Sequence, residues 1–324
     1  MRWSIDFPIP ASPFPISYTS KVLSLGSCFA QTIGSKMQAA KFEVLINPFG
    51  TLFHPLNLAD LLKQAIPAAP MNPAGVVERE GVFVHYAAHS DVKGGSLAEL
   101  EDNYTRQMLA LHHSLKEATH LVFTLGTAWI YQHKEFGRVA NCHKQAAAFF
   151  EKKLSSLEEL EKGLRPVLRF LTQLHPNLKI ILTLSPVRHT KDGISENQLS
   201  KSLLRVLCAQ LEQQLEEVTY FPAYEILVDE LRDYRFYKSD LVHPSEEAEN
   251  YIWEKWQQFS FSPETQQKVA EIQKIQLELA HRSFNPDSGA HRKFLHNLLG
   301  KLERMQGEFD FSEEIQDVKS RLQH

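Results

Sequence analysis

Five short apolar runs recur along the chain, at Lys21–Leu25, Phe42–Ile46, Leu121–Leu125, Lys179–Leu184 and Thr219–Pro222. Each precedes a segment whose apolar residues fall at helical spacing. The runs are continuous rather than alternating, which is the pattern of strands buried on both faces. Strand then helix, repeated, builds a parallel sheet covered by helices. The predicted fold is therefore α/β, a three-layer α/β/α doubly wound sheet of five parallel strands. Helices are predicted at Cys28–Ala40, Leu58–Ala65, Leu97–Glu117, Leu157–Leu174, Ser195–Glu217 and Ser245–Phe259. Gly81–Ala87 reads as an additional strand. Trp129–Gln132 and Arg138–Asn141 flank Glu135-Phe136-Gly137 and read as a hairpin.

The pattern changes near Phe261. Lys268–Ala280, His291–Leu302 and Glu313–Leu322 are charged amphipathic helices without strands. Their stripe of Val269, Ile272, Ile275, Leu277, Phe294 and Leu298 needs a partner surface. The expected organisation is a sheet domain over residues 1–260 and a helical extension over 261–324. The extension is expected to dock on the sheet domain or to pair copies of the chain as a homo-oligomer.

Composition excludes several classes. Lysine and arginine number 35 against 39 acids, a net charge of −4, which is no footprint for nucleic acid. No apolar run is long enough for a membrane span. The prolines of MRWSIDFPIPASPFP break up any leader-like apolar core. Cys28, Cys142 and Cys208 are scattered and odd in number, which suits reduced thiols and a cytoplasmic setting. No His-x-x-x-His on a predicted helix and no Cys-x-x-Cys, Walker or dinucleotide pattern occurs, so neither a metal nor a cofactor is expected.

Ligands of a doubly wound sheet bind beyond the carboxyl ends of its strands. That rule puts Ser27, Asn47, Gly126 and Ser185 on one rim. Ser27 follows Gly26 directly after the first strand, and two roles are open to it: cap of the next helix, or nucleophile. Cys28 is a rival thiol near a helix N-terminus, although its side chain should point away from the turn that presents Ser27. Asp240 and His243 stand three apart on a loop that ends in Pro244 and a helix start at Ser245. A carboxylate so placed can fix the tautomer of an imidazole base; plain packing and capping are the alternative. Joined to Ser27, the pair makes a nucleophile, a base and an orienting acid. His54, His143, Arg188 and His189 fall in predicted rim loops as substrate-binding candidates, Arg188 as a bidentate grip on carboxylate or phosphate.

GSCFA stands at Gly26–Ala30, accompanied by NPFGTLFHP (Asn47–Pro55), LGTAWIY (Leu125–Tyr131), NCHK (Asn141–Lys144), LSPVRH (Leu184–His189) and DLVHPS (Asp240–Ser245). As a set, over roughly residues 20–260, these stretches resemble the GSCFA family, which is placed with the SGNH or GDSL-like hydrolases. The resemblance implies a flavodoxin-like strand order and a catalytic Ser27, His243 and Asp240. It also implies an oxyanion contact from the backbone N–H of Gly50. Where those hydrolases carry Gly-x-Asn, this chain has Gly126-Thr127-Ala128, so Thr127 or Asn141 is expected to supply the missing donor. The implied activity is a serine esterase that removes an O-acyl group from a sugar or another small acylated or glycan substrate. Acyl transfer by the same triad, or ligand binding in a hydrolase-like cleft, are the alternatives.

Overall fold

The structure, a computed structural model, describes residues 5, 7–285 and 287–323. Residues 1–4 and 6, part of the segment read as unlike a leader, lie outside the described residues. The first half of the sheet comes from β1 (Lys21–Gly26), α1 (Cys28–Ala39), β2 (Glu43–Ile46) and α2 (Pro55–Ala65). A small antiparallel sheet of β3 (Val76–Arg79), β4 (Val82–His85) and β5 (Lys93–Gly94) follows, then α3 (Leu97–Glu117) and β6 (His120–Leu125). A second antiparallel sheet holds β7 (Trp129–His133), β8 (Gly137–Val139) and β9 (Phe150–Leu154). The chain returns through α4 (Leu157–Leu174), β10 (Lys179–Leu184), α5 (Ile194–Gln214), β11 (Val218–Phe221) and the single turn α6 (Ala223–Glu225). Four helices close it: α7 (Glu246–Ser260), α8 (Pro263–Ala280), α9 (Gly289–Met305) and α10 (Ser312–Gln323).

The main sheet runs β11-β10-β6-β1-β2, all parallel, which is the flavodoxin-like order. Strand side chains alternate between two cores. Leu23, Leu25, Leu121, Phe123, Ile180 and Leu182 pack on α2, α3, α4 and α5. Val22, Val44, Val122, Ile181 and Phe221 pack on α1 and α7 from the other side. Three layers result, as the apolar runs predict. Strand β9 was not expected. Its residues Phe150-Glu-Lys-Lys-Leu154 bury only partly and alternately, because it is an edge strand of the small sheet, paired to β7 and touching the core through Leu154.

The C-terminal helices gather around Ile272, Ile275, Leu295, Leu298, Leu302, Phe311 and Val318. They dock on the sheet domain through Tyr18, whose ring stacks on Phe42 at 4.3 Å and meets Phe309 edge-on at 4.6 Å. Lys41 reaches Glu314 at 2.5 Å and lies over the Phe311 ring. Leu277 departs from its expected place in the stripe and is 74% exposed. It sits two residues past Ile275, which turns it to the opposite face of the helix. Among the described residues no helix is long and apolar enough to cross a membrane.

Candidate active site

The rim at the carboxyl end of the sheet is built by the turn after β1. Gly26 has φ +134°, and a Cβ there would stand 2.1 Å from the carbonyl oxygen of Thr124 on neighbouring β6. Only glycine lets the chain leave the sheet so close to the next strand. Asn47 locks the turn from β2: its Oδ1 accepts from the Gly26 N–H at 2.8 Å. Ser27 is then the N-cap of α1, its Oγ accepting from Phe29 N at 3.3 Å while its own N–H donates to Thr124 O at 3.2 Å. The capping role is thus observed, and the side chain is 0% exposed. Burial pushes the Cys28 thiol up, with the Lys201 charge acting against it, so Cys28 is not a poised thiolate.

Asp240 and His243 meet. His243 Nδ1 and Asp240 Oδ2 are 2.7 Å apart, and the other carboxylate oxygen accepts from the backbone N–H groups of Val242 and His243. These N–H groups, then the imidazole, hold the Asp240 carboxyl well below the usual carboxylate range. With Asp240 ionised, Nδ1 carries the proton and Nε2 is left as the acceptor. Both side chains are about half exposed, 46% for His243 and 48% for Asp240. The loop is closed by Lys238 N to His243 O at 2.8 Å and joined to the loop after β10 by Arg188. Ser27 Oγ is turned to its helix cap, and among the described residues no hydrogen bond links it to His243. The expected contact between Asp240 and His243 is made; the expected contact between Ser27 and His243 is not.

Several other expectations change. Arg188 does not present a free fork. Its Nη2 donates to Leu241 O at 2.6 Å and its guanidinium stacks 4.5 Å over Tyr237, so it fastens the Asp240–His243 loop. His54 caps α2: Nδ1 accepts from Leu56 N at 3.1 Å, which makes Nε2 the donor towards Ala128 O at 3.2 Å. His143 is spent on His85 O at 2.9 Å and Ser90 Oγ at 3.1 Å. Asn141 accepts from His143 N at 2.8 Å within its own turn and donates Nδ2 to Ser90 Oγ at 3.4 Å on the loop after β4, so both ends of its amide are engaged. Thr127 Oγ1 accepts from Trp129 N and shares a 3.1 Å contact with Ser200 Oγ. Gly50 has a left-handed backbone, φ +71°, and its N–H, expected on an oxyanion, closes a turn on Asn47 O at 2.7 Å. His189 stays close to the pair: its ring meets Phe53 edge-on, and its buried Nε2 has no partner. Burial, with the nearby charges of Lys201 and His243, pulls His189 down to about 4, so it is neutral at physiological pH.

A cleft of about 570 Å³ opens beside this rim, between Phe53, Thr127, Trp129, Asn141, Tyr131 and Lys152. The Lys152 ammonium pairs with Asp192 and lies over the Tyr131 ring at 5.2 Å. The sequence placed Asn47 on the rim without a role and passed over Lys201 altogether. The Asn47 Nδ2 amide, on the residue that holds Gly26, is buried without a partner. Lys201, on α5, is wholly buried under the rim. Helical spacing on α5 makes Lys201 one of the core positions, which is the signal that could have singled it out.

The profile of the GSCFA family matches residues 21–256 of the chain, from β1 to the middle of α7. The chain belongs to the GSCFA family. A second profile, the C-terminal domain of GSCFA domain proteins, matches residues 272–324. No curated protein matches the chain. In this GSCFA protein the two matched stretches correspond to the α/β sheet with its rim, and to the α8–α10 unit docked on Tyr18 and Lys41.

Proposed function

We propose that this GSCFA protein is a serine hydrolase of the SGNH kind, acting on esters of a small acylated or glycan substrate. The observation that carries the reading is the Asp240–His243 bond of 2.7 Å on a loop tied to the sheet rim. That rim also holds the Gly26-Ser27 turn. In this reading Ser27 Oγ attacks the acyl carbon and its proton passes to His243 Nε2. The ester C–O bond then breaks, and His243 returns the proton to the departing alkoxide. Water, deprotonated by His243, attacks the acyl-Ser27 carbonyl, releases the acid and restores Ser27. Asp240 keeps the imidazole in the tautomer each step needs.

The oxyanion requires donors that are now occupied. Ser27 N–H is on Thr124 O at 3.2 Å and Gly50 N–H is on Asn47 O at 2.7 Å. The reading therefore needs the substrate to draw these groups off their carbonyls, with the unpartnered Asn47 Nδ2 and His189 Nε2 as further donors. Catalytic hydrogen bonds of this type commonly tighten only on substrate binding. The complete burial of Ser27 favours a second reading, a cleft that binds an acylated ligand without turning it over. Acid release from a panel of O-acetylated sugars and simple acetate esters separates the two. Turnover that disappears in Ser27→Ala supports the hydrolase; unchanged ligand binding with no acid release supports the binder. Transfer of the acyl group to an added sugar alcohol, in excess of hydrolysis, makes the enzyme an acyltransferase.

A further inference from the structure

Lys201 projects from α5 into the underside of the rim and is 1% exposed. Its Nζ donates to Gly126 O at 2.8 Å and to Ser185 O at 2.7 Å. Those carbonyls stand one residue beyond the ends of β6 and β10, at the point where both strands give way to rim loops. The neighbouring Ser200 reinforces the hold, its Oγ accepting from Ala128 N at 2.7 Å and contacting Thr127 Oγ1. The face of Tyr224 lies 5.2 Å from Nζ. Among the described residues no carboxylate pairs with the ammonium; Cys28 and Glu225 act on it only at longer range, and both favour its charge. Burial outweighs them and pulls Lys201 down to about 7.

A buried ammonium held by two carbonyls and an aromatic face is a poor stabilising device, since desolvation opposes it and no opposite charge repays it. Its position offers a different use. Its charge reaches Cys28, the residue after Ser27, and His189, whose imidazole also feels His243. We propose that Lys201 is a positioning residue for acyl transfer at Ser27, holding the loops of Gly126 and Ser185 in register and setting a positive charge under the nucleophile turn. The proposal rests on the serine-hydrolase reading. A positive charge there favours the developing oxyanion over the neutral ester, so it acts on kcat more than on KM. It also fits the absence of an asparagine at Ala128, because it supplies by electrostatics part of what that side chain would supply by contact.

The test compares wild type, Lys201→Met and Lys201→Gln at pH 6.5, where Lys201 still carries most of its charge, with p-nitrophenyl acetate as probe, together with the thermal midpoint of each. Lys201→Met should lower kcat at least about tenfold with KM within about twofold, and leave the midpoint unchanged or raised. Lys201→Gln restores a donor without the charge and should recover only part of the loss. Equal kcat in wild type and both variants overturns the proposal. So does a rate loss matched by a fall in thermal midpoint, which would make Lys201 a purely structural residue. Failure of both variants to fold has the same meaning. A wild-type protein inert towards the probe removes the hydrolase reading itself, and this inference with it.

Discussion

His54 carries a stability prediction that follows from its tautomer. Its Nδ1 accepts the Leu56 N–H at the start of α2, so that nitrogen must stay unprotonated for the helix to keep its cap. Burial brings the group from 6.5 to about 4. Between these values the unfolded chain binds a proton that the folded chain refuses, so stability falls as pH falls. The slope for one such group is about 1.2 kcal/mol per pH unit near pH 5, and the total is roughly 3 kcal/mol. Asparagine is also a good N-cap and does not titrate. His54→Asn should cost about 1 kcal/mol at pH 7.5, from the lost Nε2–H bond to Ala128 O. As pH drops towards 4.5 that deficit should close and then reverse. The assay is urea unfolding followed by tryptophan fluorescence at several pH values across this range. A difference between variant and wild type that stays constant with pH would refute the argument, because it would mean His54 takes up its proton equally in both states. His120 and His189 are likewise lowered to about 4 by burial, so the wild-type curve should be steep in acid even when His54 is replaced.

Gly26→Ala should destabilise by more than about 4 kcal/mol in urea unfolding, since the new Cβ meets the Thr124 carbonyl and φ is +134°; a loss under about 1 kcal/mol would mean the turn relaxes freely. Asp240→Asn should preserve the circular dichroism spectrum and slow ester turnover by orders of magnitude, because the imidazole tautomer is no longer fixed; wild-type turnover would show that another group orients His243. Lys201 is lowered from 10.5 to about 7. Above pH 7 the folded chain therefore sheds a proton that the unfolded chain keeps, and stability should rise from pH 7 towards 9 in wild type and less so in Lys201→Met; parallel curves would contradict this. Truncation after residue 261 should bare Tyr18 and Phe42 and lower the thermal midpoint; an unchanged midpoint would show that α8–α10 contribute nothing to the sheet domain.

Much of the fold could be read from periodicity. Buried parallel strands leave continuous runs such as Leu121–Leu125, and that signal survives without any tertiary knowledge. Strand β9 could not be read, because a strand on an open sheet needs only a weak alternation, and its lysines mask it. The Asp240–His243 pair was legible because both residues share one short loop. The roles of Arg188, His54 and His143 were not, because each is set by a backbone carbonyl or N–H brought in by folding: Leu241 O, Leu56 N and His85 O. Residue type alone suggested ligand contacts, while backbone satisfaction took those side chains instead. Lys201 shows the converse. A charged residue on a helix reads as solvated by type; its spacing with Leu204, Leu207 and Leu211 marks the buried face of α5, but the carbonyls of Gly126 and Ser185 that hold it come together only on folding.

The most direct test of the account is covalent labelling with a fluorophosphonate, read by mass spectrometry of the intact chain and its peptides. A nucleophilic Ser27 backed by His243 should gain a single phosphonyl group, located on the peptide of the Gly26-Ser27 turn. The adduct should be absent in Ser27→Ala and slow to form in His243→Ala and Asp240→Asn. An unlabelled wild-type chain, or an adduct that persists in Ser27→Ala, would contradict the assignment of Ser27 as nucleophile and leave the rim as a binding site.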